Sequence, residues 1–201
     1  KDNLLNNFAK NKKILQIEHK SYIGGRYSVL SEVGLVPAYL MGLKIKPFRK
    51  NLLNIFNSKK NSILIDSVVK LAHIYNAKKI NSLILLNYAP ELEQFLYWCQ
   101  QLMAESLGKN GTGILPIVSP APRDHHSLMQ LYLDGPKDKL FYIFSLNLKK
   151  KMKINSNIFG KKFNFAENKE LSQVIESQKK ALMKVFKKKK IPFREFKIDI
   201  V

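Results

Sequence analysis

Three short clusters in this 201-residue chain have residue types and spacings that can do chemistry. The first is Gly24-Gly25-Arg26-Tyr27-Ser28. Paired glycines let a backbone approach a ligand closely, and the guanidinium fork beside them suits an oxyanion or a phosphate. An ordinary glycine turn with a structural arginine fits the same residues. The pattern is neither GxGxxG nor a P-loop, so it is no nucleotide fingerprint. The second is Glu105-Ser106-Leu107-Gly108-Lys109, at the end of a run with helical periodicity. A carboxylate there opposes the helix dipole, a placement that a general base can justify. A solvated glutamate at a frayed helix end is the alternative. The third is Arg123-Asp124-His125-His126-Ser127. Adjacent histidines point apart, and no HxxxH or HxH pattern accompanies them. One imidazole acting as acid and base is therefore favoured over two metal ligands.

The remaining nucleophiles are weaker candidates. Cys99, beside Trp98 on the apolar face of its helix, reads as core. As the single cysteine, it excludes an intrachain disulfide and a cysteine-based metal cluster. Neither Ser28 nor Ser127 has a GxSxG context.

The elements that must position these clusters can be read from periodicity. Ile14–Ile17 reads as a short strand, broken by Gly24-Gly25. Helical spacing runs from Ser28 to Met41, with Pro37 inside it and Gly42 as a stop. Asn61–Tyr75 carries Leu64, Val68, Leu71 and Ile74 on one face. Ser82–Leu86 is a continuous apolar run of strand length, as expected for a strand buried on both faces. Pro90 opens a helix from Glu91 to about Ala104. Ile114–Val118 reads as a strand, Asp124–Leu133 as a helix capped by Asp124, and Leu140–Phe144 as another buried strand. A polar irregular stretch, 155–168, precedes the clearest helix, Lys169–Lys190. Phe196, Ile198 and Ile200 alternate with Lys197 and Asp199 in a half-exposed strand. Strands alternating with helices predict a three-layer α/β sandwich around a mainly parallel sheet. In such sheets ligands bind beyond the carboxyl ends of the strands. That rule directs attention to Arg26, to the turn after the Glu91 helix, and to Pro122–His126.

Composition sets the outer bounds. Hydrophobic residues make up 45% of the chain, enough for a buried core. No apolar run approaches the roughly 18 residues of a membrane span. Nothing points to secretion, so a reducing cytoplasm is the expected compartment. The net charge is +20, which raises the possibility of a polyanionic partner. Two counts argue against nucleic acid. Lysines number 31 and arginines only 4, whereas arginine is the residue for bidentate phosphate and guanine contacts. The charge also divides as +11 over residues 1–90, −2 over 91–145 and +11 over 146–201, so it skips the motif-rich middle.

Together and in this order, the three clusters resemble the glucose-6-phosphate isomerase family. Ser21–Leu35, SYIGGRYSVLSEVGL, is similar to its first signature. QLMAESLGK, 101–109, is similar to its Gln-x-x-x-Glu-Ser-x-Gly-Lys segment. DHHSLMQLYLDG, 124–135, is similar to its Gln-His-Ser-x-x-Gln-x-x-x-Asp-Gly segment. The close match runs from about residue 18 to 136 and is looser on both flanks.

The resemblance implies a flavodoxin-like sugar-isomerase (SIS) fold, two such domains per subunit, and a homodimer. It implies reversible conversion of glucose 6-phosphate to fructose 6-phosphate, in glycolysis and gluconeogenesis, with no metal or cofactor. Glu105 would move a proton between C2 and C1. Arg26, with Gly25 beside it in the substrate-binding segment, would stabilise the cis-enediolate. His126 would help open the sugar ring, reaching into the partner subunit's site. Gln130 fixes that register, and His125 takes the place where the family commonly has glutamine. The family's phosphate-binding Ser/Thr loop and its catalytic lysine find no match here. Residues 1–201 are thus expected to form one sugar-isomerase domain of a longer enzyme, inactive by itself. A non-catalytic sugar-phosphate-binding domain of the same fold is the alternative. A pure binder, however, has no need of Glu105 and Arg26 together.

Overall fold

A computed structural model describes residues 3–50, 61–77, 80–147, 152–155, 162 and 167–199. Most of the irregular stretch expected at 155–168 lies outside them. The chain divides into two compact units, Lys1–Val68 and Val69–Val201.

The first unit is helical. Helix α1 (Leu4–Asn11) starts where the Asn3 side chain accepts the Asn6 amide at 2.8 Å. The expected strand at Ile14–Ile17 does not form; these residues have no regular secondary structure and are exposed. A strand requires a neighbour for its amides, and the described residues of this unit hold no sheet. A 3₁₀ turn (Gly25–Leu30) leads into α2 (Glu32–Leu40), which continues through Pro37. Gly42, at φ +83°, ends the run as expected. A side chain at Gly34 would meet the Val29 carbonyl oxygen at 2.1 Å, so close packing of turn on helix requires glycine there. Helix α3 (Ile45–Lys50) follows. Helix α4 (Asn61–Asn76) contains the boundary between the units.

The second unit holds the sheet. Its strands are β1 (Ser82–Asn87), β2 (Leu115–Pro120), β3 (Lys139–Asn147) and β4 (Phe193–Asp199). All pair in parallel, in the order β2-β1-β3-β4. Two prolines, Pro116 and Pro120, suit β2 to an edge, because neither has an amide to donate. Strand β1 is central and buried on both faces, as its unbroken apolar run predicts.

Helices cover both faces. They are α5 (Glu93–Leu107), α6 (Arg123–Ser127), α7 (Met129–Asp134) and α8 (Leu171–Lys188). Ile84, Leu86, Phe141 and Ile143 pack with Leu182 and Phe186 of α8 and Tyr132 of α7. Leu83, Leu85, Leu140 and Phe144 pack with Leu96 of α5 and, at the margin, Leu71 and Ile74 of α4. The alternation along β1 and β3 divides the core into these two layers. The three-layer α/β sandwich is thus as read from pattern.

One buried charge ties the outer strand. Lys179 of α8 is 1% exposed. Its Nζ donates to Ser145 Oγ on β3 at 2.9 Å and pairs with Glu195 on β4 at 2.6 Å and Glu176 at 2.8 Å. A buried ammonium is tolerable only with such partners.

Candidate active site

The parallel sheet fixes where each candidate lies. Strand β1 runs toward the end where Tyr88, Ala89 and Pro90 turn the chain, and α5 carries it back. Glu105 lies twelve residues beyond the start of α5, about 18 Å along the axis. Because β2 begins beside the start of β1, with the Leu115 amide bonded to the Asn81 carbonyl, Glu105 belongs to the amino edge of the sheet. The expectation that the turn after the Glu91 helix joins the carboxyl-end loops is therefore corrected. A crossover helix between parallel strands must finish at the opposite edge.

Glu105 is exposed, and Gln101 Nε2, one turn earlier, donates to its Oε1 at 2.8 Å. The loop behind it is tightly built. Gly108 abuts the Ala104 carbonyl, where a Cβ would come within 2.6 Å. Asn110, Gly111 and Gly113 all have positive φ, and the Gly113 amide donates to Tyr75 Oη at 2.8 Å.

The histidine cluster sits at the other edge. Asp124 is not the cap of one long helix. Pro122 precedes α6, and Leu128 separates α6 from α7. Asp124 is 6% exposed. Its carboxylate accepts from Ser119 Oγ at 2.8 Å and Ser127 Oγ at 3.2 Å, and Arg123 Nε lies 3.3 Å away. His125 turns inward and His126 outward into solvent. His125 Nε2 lies 2.6 Å from Tyr88 Oη, with the two rings edge-on at 5.5 Å. Burial lowers the pKa of His125, against an opposing pull from Asp124, and raises that of the Tyr88 hydroxyl. Tyr88 was not among the sequence candidates. Its only signal is its position, just past the carboxyl end of a buried strand.

Arg26 and Gly25 belong to the first unit. The 3₁₀ turn that carries them is closed by Ser28 Oγ donating to the Gly25 carbonyl at 2.7 Å. Arg26 is half-buried, its guanidinium 5.8 Å from the Tyr27 ring centre. Neither Gly24 nor Gly25 uses a left-handed backbone. A Cβ at Gly25 would have no atom within 4 Å, so no described neighbour excludes a side chain there.

Cys99 packs against the second core layer, and burial raises its thiol pKa, the opposite of an activated nucleophile. A cavity of about 490 Å³ opens at the amino edge near His73, Lys139 and Lys190, and none of the candidates lines it. Among the described residues, no helix is long and apolar enough to cross a membrane.

No protein-family model matches the chain. Curated relatives do. A glucose-6-phosphate isomerase of Methanocaldococcus jannaschii is 35% identical over 166 residues, 79% of this chain and 40% of that protein. One from Campylobacter jejuni is 32% identical over 192 residues, 91% of this chain and 46% of that protein. The chain belongs to the glucose-6-phosphate isomerase family. It spans less than half the length of these isomerases. The crystal structure of a hypothetical protein from Thermus thermophilus shares the fold, with a TM-score of 0.82 over 98% of this chain and 49% of that one, at 21% identity. The segments that resemble the isomerase family carry Arg26, Glu105 and His126, the first in one unit and the other two at opposite edges of the sheet.

Proposed function

We propose that this chain is one sugar-isomerase domain of an enzyme that interconverts glucose 6-phosphate and fructose 6-phosphate. The observation that carries this reading is the similarity, over most of the chain, to proteins of that name. Glu105 takes the proton from C2 of the opened sugar and returns it to C1. Abstraction beside a carbonyl needs a positioned carboxylate, and Gln101 holds one oxygen of Glu105 in place. Arg26 stabilises the charge that develops on the enediolate oxygens. His126 acts on the ring oxygen and the C1 hydroxyl during opening. Glu105 and His126 lie at opposite edges of one sheet, which supports a site shared in a homodimer, with His126 serving the partner. The phosphate cradle and the catalytic lysine belong to parts of the enzyme outside these 201 residues, and the cytoplasm is the expected compartment.

The purified chain is expected to show no turnover in a coupled isomerase assay, whereas the full-length enzyme is active. Ready turnover by the chain alone would overturn the division of the site. A second assay addresses sharing between subunits. Co-expressed full-length Glu105→Gln and His126→Ala chains, each inactive alone, should recover roughly a quarter of wild-type activity, since half the twofold dimers are mixed and each carries one intact site. No recovery would place both residues in a single subunit's site.

A further inference from the structure

We propose that Tyr88 and His125 are positioning residues that hold His126 at its outward angle. This rests on the reading of His126 as the ring-opening residue.

Helix α6 has five residues, too few to keep a fixed orientation by its own hydrogen bonds. No side chain caps its start. Two polar contacts secure it instead. Asp124 anchors it to β2 through Ser119, whose own Oγ accepts from Tyr132 Oη at 3.1 Å. His125 anchors it to the end of β1 through Tyr88. Tyr88 is a rigid post: it is 4% exposed, and its amide donates to the Phe144 carbonyl of β3 at 2.9 Å.

Successive residues on a helix are turned by about 100°. With Asp124 and His125 both bound inward, the next side chain faces outward, and His126 is exposed. The Ala121 amide, donating to the Asn87 carbonyl at 2.7 Å, and Leu128, packed on the core, hold the two ends of the helix, while Asp124 ties its inner face to β2. The Tyr88 contact adds a second side-chain point on that face and so fixes its angle of rotation. A residue that must reach a site beyond its own subunit is the one most sensitive to that angle, because a small rotation is amplified along its length.

The test compares four variants of the full-length enzyme: Tyr88→Phe, His125→Ala, His125→Gln and His126→Ala. Each is checked for an unchanged thermal unfolding midpoint. Tyr88→Phe and His125→Ala should each lower kcat by about tenfold with KM little changed, since geometry rather than binding is lost. His125→Gln should recover most of the loss, because its amide still reaches the tyrosine hydroxyl. Wild-type kcat in Tyr88→Phe and His125→Ala, beside an impaired His126→Ala, would overturn the positioning role. A fully active His126→Ala would overturn the reading on which it rests. If Tyr88→Phe unfolds, the alanine and glutamine pair at His125 decides: equal rates in both would overturn the proposal.

Discussion

In the full-length enzyme, Glu105→Gln is expected to lower kcat by about a thousandfold, within the range for loss of a general base. The substitution replaces a carboxylate by an amide of nearly the same shape. The amide keeps a hydrogen-bond contact with Gln101, which now holds Glu105 Oε1 at 2.8 Å, but it cannot accept the C2 proton. KM for fructose 6-phosphate should stay within about threefold, because the lost interaction belongs to the transition state. Exchange of the C2 hydrogen with deuterated solvent should fall in parallel with turnover. An enzyme that keeps its turnover and its exchange would remove Glu105 as the base.

The second large effect is at Arg26. Arg26→Lys keeps the charge but loses the planar fork, so two oxygens can no longer be held at once. The half-buried guanidinium packs beside the Tyr27 ring, and a lysine head group would not reproduce that packing. We expect kcat to fall by about a hundredfold, the scale on which one oxyanion contact is lost. Affinity for an enediolate-mimicking hydroxamate should fall in proportion, while affinity for the substrate stays nearly constant. Equal losses for hydroxamate and substrate would instead give Arg26 a ground-state role.

The layers of the fold were legible because burial leaves a strong signature. The run Leu83–Leu86 and the helix expected at Lys169–Lys190 admitted one reading each. The segment Ile14–Ile17 misled because its apolar pattern says nothing of a pairing partner, and among the described residues of its unit no sheet supplies one. The residues of the candidate site were visible as types, but their arrangement was not. Which edge of the sheet Glu105 occupies follows from chain direction rather than from its own neighbours. The Tyr88–His125 contact spans 37 positions, far beyond any helical or strand period. Asp124 looked like a cap because caps and buried anchors use the same residue. Only its contact with Ser119 tells them apart.

The buried ammonium of Lys179 also sets a pH window. Burial alone would raise the Glu176 carboxyl; the hydrogen bond and charge of Lys179 outweigh it and hold the group below its ordinary range. Burial would lower Lys179, but Glu176 and Glu195 outweigh that and hold it above its ordinary range. A depressed carboxylate contributes stability that is present above its unfolded pKa and lost as pH falls through the folded one. A raised lysine contributes stability that is present below its unfolded pKa and lost as pH rises through the folded one. The two losses bracket neutrality from either side. Strong base, by deprotonating Lys179, loosens the tie from α8 to Glu195 of β4, whereas acid acts on the Glu176–Lys179 pair within α8.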